Sequence, residues 1–423
     1  MSGRRDFLRR TAHAGFGLAA LPLAVPPARR GLAPRGSAAA QADDYWDRVR
    51  DLFPMTRDRA YLNTGGLGPA SYPVLDTVSR ATLETQTIVE HRHQAFEIVR
   101  GPVAAFLGAR PEEIAFQRNA TEGNSAIAAG LALRRGDEVV FESHAHPGGA
   151  YAWRSRQERD GIVVKTFVPD PASAAGNLER IEAALTPRTR AIQVSHITAP
   201  TGIQMPVRQI AELARDRGLW FHVDGAQSAG HVQVDLGAIG CDSYATSGHK
   251  WLGAPHGTGV LYVRADRLDE VWPTEVGAYT GGPTPGGGLE YAPSAVRFEP
   301  GTRNAPLVLG VGAAVALLDE IGMDRVETRA RALGCALHTR LEAIDGVEVL
   351  TPSDPALRAG ITTLRSERVP FMELYQAYLD AAMRCRIVTE EGLDAVRVST
   401  HIFNSEAECD RVVEVTREAL ARA

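Results

Sequence analysis

Short apolar runs alternate with segments of helical periodicity from Asp137 onward. Six runs are apolar along their length instead of at every second position and are predicted to be strands: EVVFES (138–143), IVVKTFV (162–168), AIQVSHI (191–197), WFHVDG (220–225), SYATS (243–247) and GVLYVR (259–264). Helical segments lie between them, such as LERIEAAL (178–185) and the segment from Pro206 to Gly218. Buried strands that alternate with helices predict an α/β fold, in which helices cover a large, mostly parallel sheet.

Further helical patterns flank this region. A long one covers residues 73–107, and TEGNSAIAAGLAL (121–133) is predicted to be a helix that Thr121 opens. After a Gly/Pro-rich loop (277–295), PLVLGVGAAVALLDEIG (306–322) predicts a buried helix leading into a final region of αβ character. The expected units are an N-terminal segment that packs with the small domain (43–72), a large domain (73–310) and a smaller C-terminal α+β domain (311–423).

Composition places the chain among ordinary globular proteins. It has 423 residues, of which 44% are hydrophobic and 23% are charged. The formal net charge is -5, and no basic block follows residue 42, so no nucleic-acid partner is expected. Small molecules are the expected partners.

The first 42 residues differ in kind from the rest. They carry seven arginines and one acid, Asp6, and they run from GRRDFLRR through the apolar AGFGLAALPLAV to the small residues GSAAAQA. This pattern predicts a twin-arginine export signal over residues 1–42, which implies a mature chain that begins near Gln41 to Asp43 and works in the periplasm or outside the cell. The apolar stretch is too short to span a bilayer, so no membrane span is expected in the mature chain. The alternative is a disordered arginine-rich tail.

The cysteines indicate no metal site. Cys241, Cys335, Cys385 and Cys409 are widely spaced, and no CxxC pair occurs. Neither a zinc site nor a redox dithiol is therefore expected, and the four are taken to be buried thiols.

One of only two lysines lies in an unusual run. Lys165 and Lys250 are the lysines among 46 basic residues, and Lys250 lies in ATSGHKWLGAPHGTG (245–259), after Ser247 and His249. A lysine forms a Schiff base with an aldehyde, which an arginine cannot do. The hydroxyl, imidazole and amide donors around it suit a phosphate.

A second run supplies an acid at the end of a predicted strand. HVDGAQSAG (222–230) places Asp224 there, followed by Gly225 and Ala226, which leave room for a flat ligand. A carboxylate at this edge of a parallel sheet suits a cofactor with a ring nitrogen, which it could hold protonated. The alternative is an ordinary turn aspartate. Together with Lys250, Asp224 points to pyridoxal phosphate.

Two weaker motifs add to this hypothesis. NATEGNS (119–125) offers the amides of Ala120 and Thr121 to a phosphate at a helix N-terminus, although such a motif is more often only a cap. SHAHPGGAYAW (143–153) offers an imidazole that could lie flat on a pyridine ring, although a lone histidine is more often a satisfied loop residue.

These motifs together resemble the class V aminotransferases, the fold-type-I pyridoxal-phosphate enzymes that include cysteine desulfurases and isopenicillin-N epimerases. The resemblance covers roughly residues 59–410 and follows the family's motif order: AYLNTGGLGP, NATEGN, HAHPGG, SHITAPTGIQMPV, HVDGAQS, ATSGHKWLGAPHGTG, RFEPGTRN and VRVSTHIFN. It implies a fold-type-I transferase whose large domain binds pyridoxal 5'-phosphate. It also implies a homodimer with the active site at the subunit boundary.

The resemblance assigns the catalytic roles by position. Lys250 would form the internal aldimine and then move the proton at the substrate Cα, and Asp224 would pair with the pyridinium nitrogen. His146, seven residues before Trp153, is the expected stacking imidazole, with His144 as second choice.

It assigns the binding roles in the same way. Arg397 would bind the substrate carboxylate, and Gln227 would donate to the phenolic oxygen of the cofactor. The phosphate would be held by Ala120, Thr121, Ser247 and His249, with Thr302 contributed by the neighbouring subunit.

Departures from the family pattern narrow the reaction. Cysteine desulfurases need a thiol on the loop before the Arg397 motif, but that stretch reads IVTEEGLDAV (387–396) and Cys385 lies outside it, so desulfuration is disfavoured. Where many relatives have Asn, this chain has Thr198 to Thr201, which makes the isopenicillin-N epimerase branch the closer resemblance.

Several functions remain open from sequence. The first hypothesis is an epimerase-like or aminotransferase-like enzyme acting on an amino acid or a similar side chain, and the alternative is a lyase that eliminates a β group. Racemisation needs a second acid or base, for which His144, Tyr279 and Glu390 are candidates. A catalytically silent exported relative is disfavoured by the intact Lys250 and Asp224. An NAD-dependent enzyme is disfavoured because no GxGxxG follows an early strand.

Overall fold

A seven-stranded sheet forms the centre of the fold. A computed structural model describes residues 40–423. Its strands are β1 (Ala60–Tyr61), β2 (Ile114–Gln117), β3 (Glu138–Glu142), β4 (Val163–Phe167), β5 (Thr189–Ser195), β6 (Trp220–Asp224), β7 (Ser243–Ser247), β8 (Gly259–Val263), β9 (Gly281–Pro283), β10 (Leu289–Tyr291), β11 (Glu348–Val349), β12 (Ile361–Arg365), β13 (Met383–Arg384), β14 (Arg386–Val388) and β15 (Ala395–Ser399). The large sheet has the order β2-β8-β7-β6-β5-β3-β4, and in it only β8 runs against the others.

Helices cover both faces of this sheet. The helices of the described residues are α1 (Ala40–Arg50), α2 (Tyr72–Ile88), α3 (Gln94–Phe106), α4 (Ala120–Gly130), α5 (Pro147–Asp160), α6 (Ala174–Ala184), α7 (Val207–Asp216), α8 (Leu236–Ile239), α9 (Ala305–Ile321), α10 (Met323–Glu342), α11 (Phe371–Asp380) and α12 (Glu406–Arg422). Along β3, Val139 and Phe141 belong to one hydrophobic cluster, and Val140 belongs to the cluster on the other face. Burial on both faces explains why the strands are apolar along their whole length.

The parallel strands end together at one edge of the sheet. Ser195 of β5 pairs with Asp224 of β6, which pairs with Ala245 of β7. A Cβ at Gly225 would lie 1.9 Å from the Cζ of Tyr244, so the residue after β6 must be glycine for the tyrosine to pack there. Gly225 therefore makes room for a neighbouring side chain and not, as expected, for a flat ligand.

A smaller unit follows the large sheet. Strands β11, β12, β15 and β14 form an antiparallel sheet in that order. Helices α10 and α11 pack on this sheet and α12 packs on these two helices, around a separate hydrophobic cluster. In its β14–β15 pair, Arg386 lies directly opposite Arg397.

The N-terminal segment contacts the C-terminal region. Strand β1 pairs in parallel with β13, Arg50 forms an ion pair of 2.8 Å with Glu408, and the rings of Phe53 and Phe403 lie 5.1 Å apart.

Four details differ from the sequence prediction. The helix expected over 73–107 is two helices, because Val89 and Arg92 adopt left-handed φ angles of 53° and 52° that end α2. Helix α4 begins at Ala120, and its cap is Asn119, whose side chain accepts the Glu122 N–H at 2.9 Å. The loop over 277–295 contains the hairpin of β9 and β10. The boundary expected between 310 and 311 falls inside α9, which packs on α2 and α3, and the chain bends by 80° where α9 ends.

The predicted export signal lies outside the described residues, apart from 40–42, which belong to α1. Cleavage near Gln41 to Asp43 would fall in the first turn of that helix. In the described part of the chain, no single helix is long and apolar enough to cross a membrane, and the bent pair of α9 and α10 passes that test only when taken together.

Candidate active site

The carboxyl edge of the large sheet opens into a cavity of about 260 Å³. Its lining comes from the large sheet domain, from the N-terminal segment and from the small sheet. The lining residues are Gly65, Gly66, Asn119, Ala120, Thr121, Asn124, His146, Gly148, Ala199, Asp224, Ala226, Gln227, Ser247, His249, Lys250, Arg386 and Arg397. The cavity thus brings together every residue predicted to bind the cofactor or the substrate carboxylate except Thr302.

Lys250 carries an amine of reduced basicity. Burial lowers the pKa of Lys250 to about 8, and Arg397 and Arg386 act in the same direction, while Asp224 opposes the shift. A lysine with this pKa is partly neutral near pH 8. Its nitrogen can therefore attack an aldehyde, which a fully protonated amine cannot do.

Asp224 is fixed by two donors. Its Oδ2 accepts a hydrogen bond of 2.8 Å from Asn124 Nδ2, and its Oδ1 accepts one of 3.0 Å from the Ala226 backbone N–H. Gly149 of α5 lies beside this carboxylate and must lack a side chain, because a Cβ would lie 2.9 Å from Asp224 Oδ2. The carboxylate is therefore held in one orientation at the cavity wall.

A chain of donors extends behind Asp224. Trp220 Nε1, which can only donate, lies 3.0 Å from Ser243 Oγ, and this hydroxyl lies 2.8 Å from Nδ1 of His222. His222 Nε2 lies 2.8 Å from Asn124 Oδ1. Because the Asp224 carboxylate only accepts, Asn124 turns its amide N–H toward Asp224 and its Oδ1 toward His222. Nε2 of His222 is therefore the donor, and Nδ1 of the neutral ring accepts from the Ser243 hydroxyl. Burial lowers the pKa of His222 to about 4, in keeping with a neutral ring.

The opposite side of the cavity fits a phosphate. Helix α4 points its N-terminus at the cavity, and there the Ala120 N–H donates to Ser247 Oγ at 3.0 Å. A Cβ on Gly148 would lie 2.3 Å from Thr121 Oγ1, so any larger residue would clash with this hydroxyl. Nδ1 of His249 is buried without a hydrogen-bond partner among the described residues. The hydroxyls of Thr121 and Ser247 and the imidazole of His249 are donors that suit a phosphate, whereas the Ala120 N–H already donates to Ser247.

Gln227 has a determined amide orientation. Trp251 Nε1 donates to Gln227 Oε1 at 2.8 Å, and Gln227 Nε2 donates to the Gly65 carbonyl at 2.9 Å. Because an indole nitrogen only donates, the amide oxygen must face Trp251, and the NH₂ group with its second hydrogen faces the other way. Gln227 lines the cavity and can supply the N–H expected for a phenolic oxygen.

Of the two candidate histidines, His146 lines the cavity and His144 does not. His146 caps α5 through its Nδ1, which accepts the Gly148 N–H at 3.0 Å, and its ring lines the cavity. Burial, and then the charge of Lys250, lower its pKa. His144 does not line the cavity, since its Nδ1 lies 3.0 Å from Thr201 Oγ1 in a buried pair. His146 is therefore the imidazole available to a flat ring.

The candidates for a second acid or base lie outside the cavity lining of this chain. His144 is tied to Thr201, and burial lowers its pKa to about 4. Tyr279 stacks on His93 with ring centroids 4.1 Å apart. Glu390 reaches the cavity only through its ion pair with Arg386.

Arg397 is positioned for a carboxylate. Its Nη1 donates to the Ala199 carbonyl at 2.7 Å and its Nη2 to Asn63 Oδ1 at 3.1 Å, while its Nε has no acceptor among the described residues. The side chain is only 1% exposed, and burial lowers its pKa to about 9.

Thr302 lies elsewhere in the same chain. It lines a separate cavity of about 490 Å³ together with Arg118, Glu122 and Arg303. A third cavity shares Asn119 and Thr121 with the Lys250 cavity and shares Arg118 and Glu122 with the cavity of Thr302. The assignment of Thr302 to the cavity of a neighbouring subunit stays a prediction.

No thiol faces the Lys250 cavity. All four cysteines lie within the described residues, and none lines it. Burial raises the pKa of Cys385 to about 12, so its thiol is not a nucleophile. Within residues 45–423, no group of three or more His, Cys, Asp or Glu side chains could hold a metal ion.

Asn124 and Arg386 line the cavity but have no role in the sequence interpretation. Asn124 lies inside the NATEGNS motif, but its bond to Asp224 depends on how α4 packs against β6. Arg386 lies two residues after the β13 strand, and its place in the cavity depends on strand register.

Comparison with known proteins gives the family. Residues 75–412 match the profile described as aminotransferase class-V. The chain belongs to this family. It is 32% identical over 390 residues to an isopenicillin N epimerase of Amycolatopsis lactamdurans, across 88% of this chain and 98% of that protein.

Solved structures agree in fold. A cysteine desulfurase of Thermococcus onnurineus NA1 in its apo form has a TM-score of 0.80 and 25% identity, covering 89% of this chain and 98% of its own. The protein C-DES, described in one structure as a cystine C–S lyase with its product cysteine persulfide, has a TM-score of 0.79 and 26% identity over 86% of this chain and 98% of its own. A C-DES mutant with glycine covalently linked to the PLP cofactor matches with a TM-score of 0.77 and 26% identity, over the same shares. These findings confirm the predicted fold class and support the prediction of pyridoxal phosphate as the cofactor.

Proposed function

We propose that this protein is a pyridoxal-phosphate-dependent enzyme that acts at the α-carbon of an amino acid, in an epimerase-like or aminotransferase-like reaction. The observation that carries the proposal is one cavity shared by Lys250, Asp224 and Arg397. The match to an isopenicillin N epimerase over 98% of that protein supports the epimerase-like form.

The chain's own residues would divide the work. Bound pyridoxal phosphate supplies an electron sink for the electrons of a broken bond at the substrate Cα. Asp224, held by Asn124, keeps the ring nitrogen charged. Lys250, with a pKa of about 8, holds the cofactor and then takes or returns the proton at Cα. Arg397 orients the α-carboxylate through its Nε edge.

Desulfuration lacks its nucleophile in this cavity. A desulfurase transfers sulfur to a thiol, but none of the four cysteines, all of which are described, lines the Lys250 cavity. A β-elimination needs no such thiol, and the similarity to C-DES, described as a cystine C–S lyase, keeps a lyase as the second candidate function.

The lowered pKa of Lys250 disfavours a binding protein without catalytic activity. A structural lysine would pair its charge with an acid, as Lys165 does with Glu138 at 3.1 Å. Lys250 instead lies next to two arginines that lower its pKa, an arrangement that suits a nucleophile.

Product analysis would separate the three reactions. The protein, loaded with pyridoxal phosphate, is incubated with single L-amino acids, with and without a 2-oxo acid acceptor. Chiral chromatography measures the D-enantiomer, and separate assays measure oxo acid and ammonia. We expect either the D-enantiomer or an acceptor-dependent oxo acid. Ammonia released without an acceptor identifies the lyase, and a full panel of amino acids without any product contradicts an enzymatic role.

A further inference from the structure

Two arginines face each other across one pair of strands at the cavity. Arg386 of β14 lies directly opposite Arg397 of β15, and both side chains line the Lys250 cavity. Residues directly opposite in an antiparallel pair project from the same face, with Cβ atoms about 4.5–5.5 Å apart. Like charges in this arrangement destabilise a sheet, so the pair does not contribute to the stability of the fold and suggests a binding role.

Among the described residues, Glu390 is the one acid that accepts a hydrogen bond from either guanidinium group. Arg386 donates from Nη2 to Glu390 Oε1, whereas Arg397 donates only to the neutral oxygens of Ala199 and Asn63. Nη1 of Arg386 and Nε of Arg397 are buried and have no acceptor among the described residues. Each arginine therefore keeps an unused donor group.

The cofactor does not need these donors. Its phosphate group would be met by the α4 N-terminus, Ser247 and His249, which all belong to the large sheet domain, and its ring nitrogen by Asp224. Arg386 and Arg397 come from the small sheet on another side of the cavity. The unused donors are left for the substrate.

We propose that the substrate is an acidic amino acid whose α-carboxylate binds Arg397 and whose side-chain carboxylate binds Arg386. The proposal rests on the proposed function, because it places an amino acid in the Lys250 cavity. Arg397 takes the α-carboxylate because it is the deeper of the two: Arg397 is buried, whereas the side chain of Arg386 is 26% exposed. The more exposed Arg386 is left to meet the variable end of the substrate.

Acid and amide pairs test the proposal directly. The loaded full chain is titrated with L-aspartate, L-asparagine, L-glutamate and L-glutamine while the visible absorbance of the cofactor is followed. A charged carboxylate on Arg386 predicts that at least one acid has a Kd about 10-fold or more below that of its amide. Ratios near one for both pairs overturn the proposal without any variant.

Two variants locate the effect. Arg386→Gln is expected to abolish the acid preference while leaving the Kd of the amide within about twofold of its original value. If Arg386→Gln weakens acid and amide equally, both arginines serve one carboxylate and the proposal is wrong. Arg384→Gln is the matched control, because Arg384 donates to Tyr375 Oη and does not line the cavity. It should keep the acid preference.

Calorimetry with succinate and glutarate separates this proposal from the proposed function. These diacids have no amino group and need no reaction with the cofactor. If no amino acid changes the absorbance but a diacid binds in an Arg386-dependent manner, the proposed function fails and the two-carboxylate site stands. If amino acids change the absorbance but neither acids nor diacids are preferred, only this proposal fails.

Discussion

Lys165 and Lys250 show how surroundings decide what a lysine does. Lys165 pairs with Glu138 at 3.1 Å and donates to the Ala184 carbonyl at 3.0 Å, so it acts as a charge that an arginine could supply. Lys250 lies in a cavity beside two arginines, and its pKa is about 8. At this pKa a fraction of the Lys250 amine is neutral near physiological pH and can act as a nucleophile.

Trp251 is a positioning residue for Gln227. In Trp251→Phe the ring that stacks on His231 remains, but the N–H that holds the Gln227 oxygen is lost. The amide can then turn its oxygen toward the phenolic oxygen of the cofactor, which destabilises the anionic form of that oxygen. We expect the pH midpoint of the cofactor's visible absorbance to rise by about 0.5–1 unit, the equivalent of one neutral hydrogen bond. A pH titration of the absorbance measures it.

Trp153→Phe is the control for this prediction. Trp153 is buried and also donates from Nε1 to a glutamine, Gln193 Oε1, at 2.8 Å, but neither residue lines the cavity. The two variants should lose similar stability, and only Trp251→Phe should shift the midpoint. Equal midpoints in both variants would show that Trp251 has a structural role alone.

At the residue scale, the sequence predicts groups whose chemistry is unusual for their position. A lysine in an arginine-rich chain and an aspartate at a strand end both stand out. Arg386 does not stand out in the sequence, because the chain has many arginines. It is notable only because it lies opposite Arg397, which comes eleven residues later. That pairing depends on strand register, which no local pattern reveals.

Strand β3 carries two buried acids of opposite behaviour at its ends. Burial alone would raise the pKa of Glu138, but hydrogen bonds from Thr186, Lys165 and Arg188 outweigh this and lower it to about 2. Burial raises the pKa of Glu142 to about 7, and this outweighs hydrogen bonds to the carboxylate that include the Ser195 N–H at 2.9 Å.

Glu138→Gln should therefore destabilise the protein most near neutral pH. The folded-state pKa lies below the unfolded value of 4.5, so the ionised carboxylate stabilises the fold above pH 4.5, and this contribution is lost as the pH falls toward 2. We expect a loss of about 2 kcal/mol at pH 7. The Tm deficit of the variant should shrink steadily between pH 5 and pH 3.

Glu142→Gln on the same strand should show the opposite sign. Its folded-state pKa is raised, so the native state is penalised as the pH rises through about 7. The variant should melt above the wild type at pH 8 and match it at pH 5. Parallel Tm curves for the two variants across this range would contradict the assigned environments.

At the element scale, uniform burial makes the parallel strands predictable. The strands predicted at 138–143 and 220–225 are β3 and β6, each within one residue of its observed bounds. The break between α2 and α3 was missed because Val89 and Arg92 adopt left-handed conformations. Valine and arginine rarely do so, and the sequence therefore does not predict a helix end there. The reversed direction of β8 also leaves no local signal, since β8 is buried like its neighbours.

At the scale of the whole molecule, the site exists only in the folded chain. Asn63, Asp224 and Arg397 come from the N-terminal segment, the large sheet and the small sheet, and they meet at one cavity or its wall. The shared dimeric site with Thr302, and export by residues 1–42, stay predictions. Sequence supplied the residues of this site through family motifs, whereas the donor chain behind Asp224 required the three-dimensional packing.

The most direct test of the account is to locate the covalent bond to the cofactor. The full chain is loaded with pyridoxal phosphate, reduced with borohydride, digested and mapped by mass spectrometry. We predict that the cofactor is attached to Lys250, that Lys165→Ala retains the adduct and that Lys250→Ala loses it. Attachment to Lys165, or an adduct that persists in Lys250→Ala, would contradict the account.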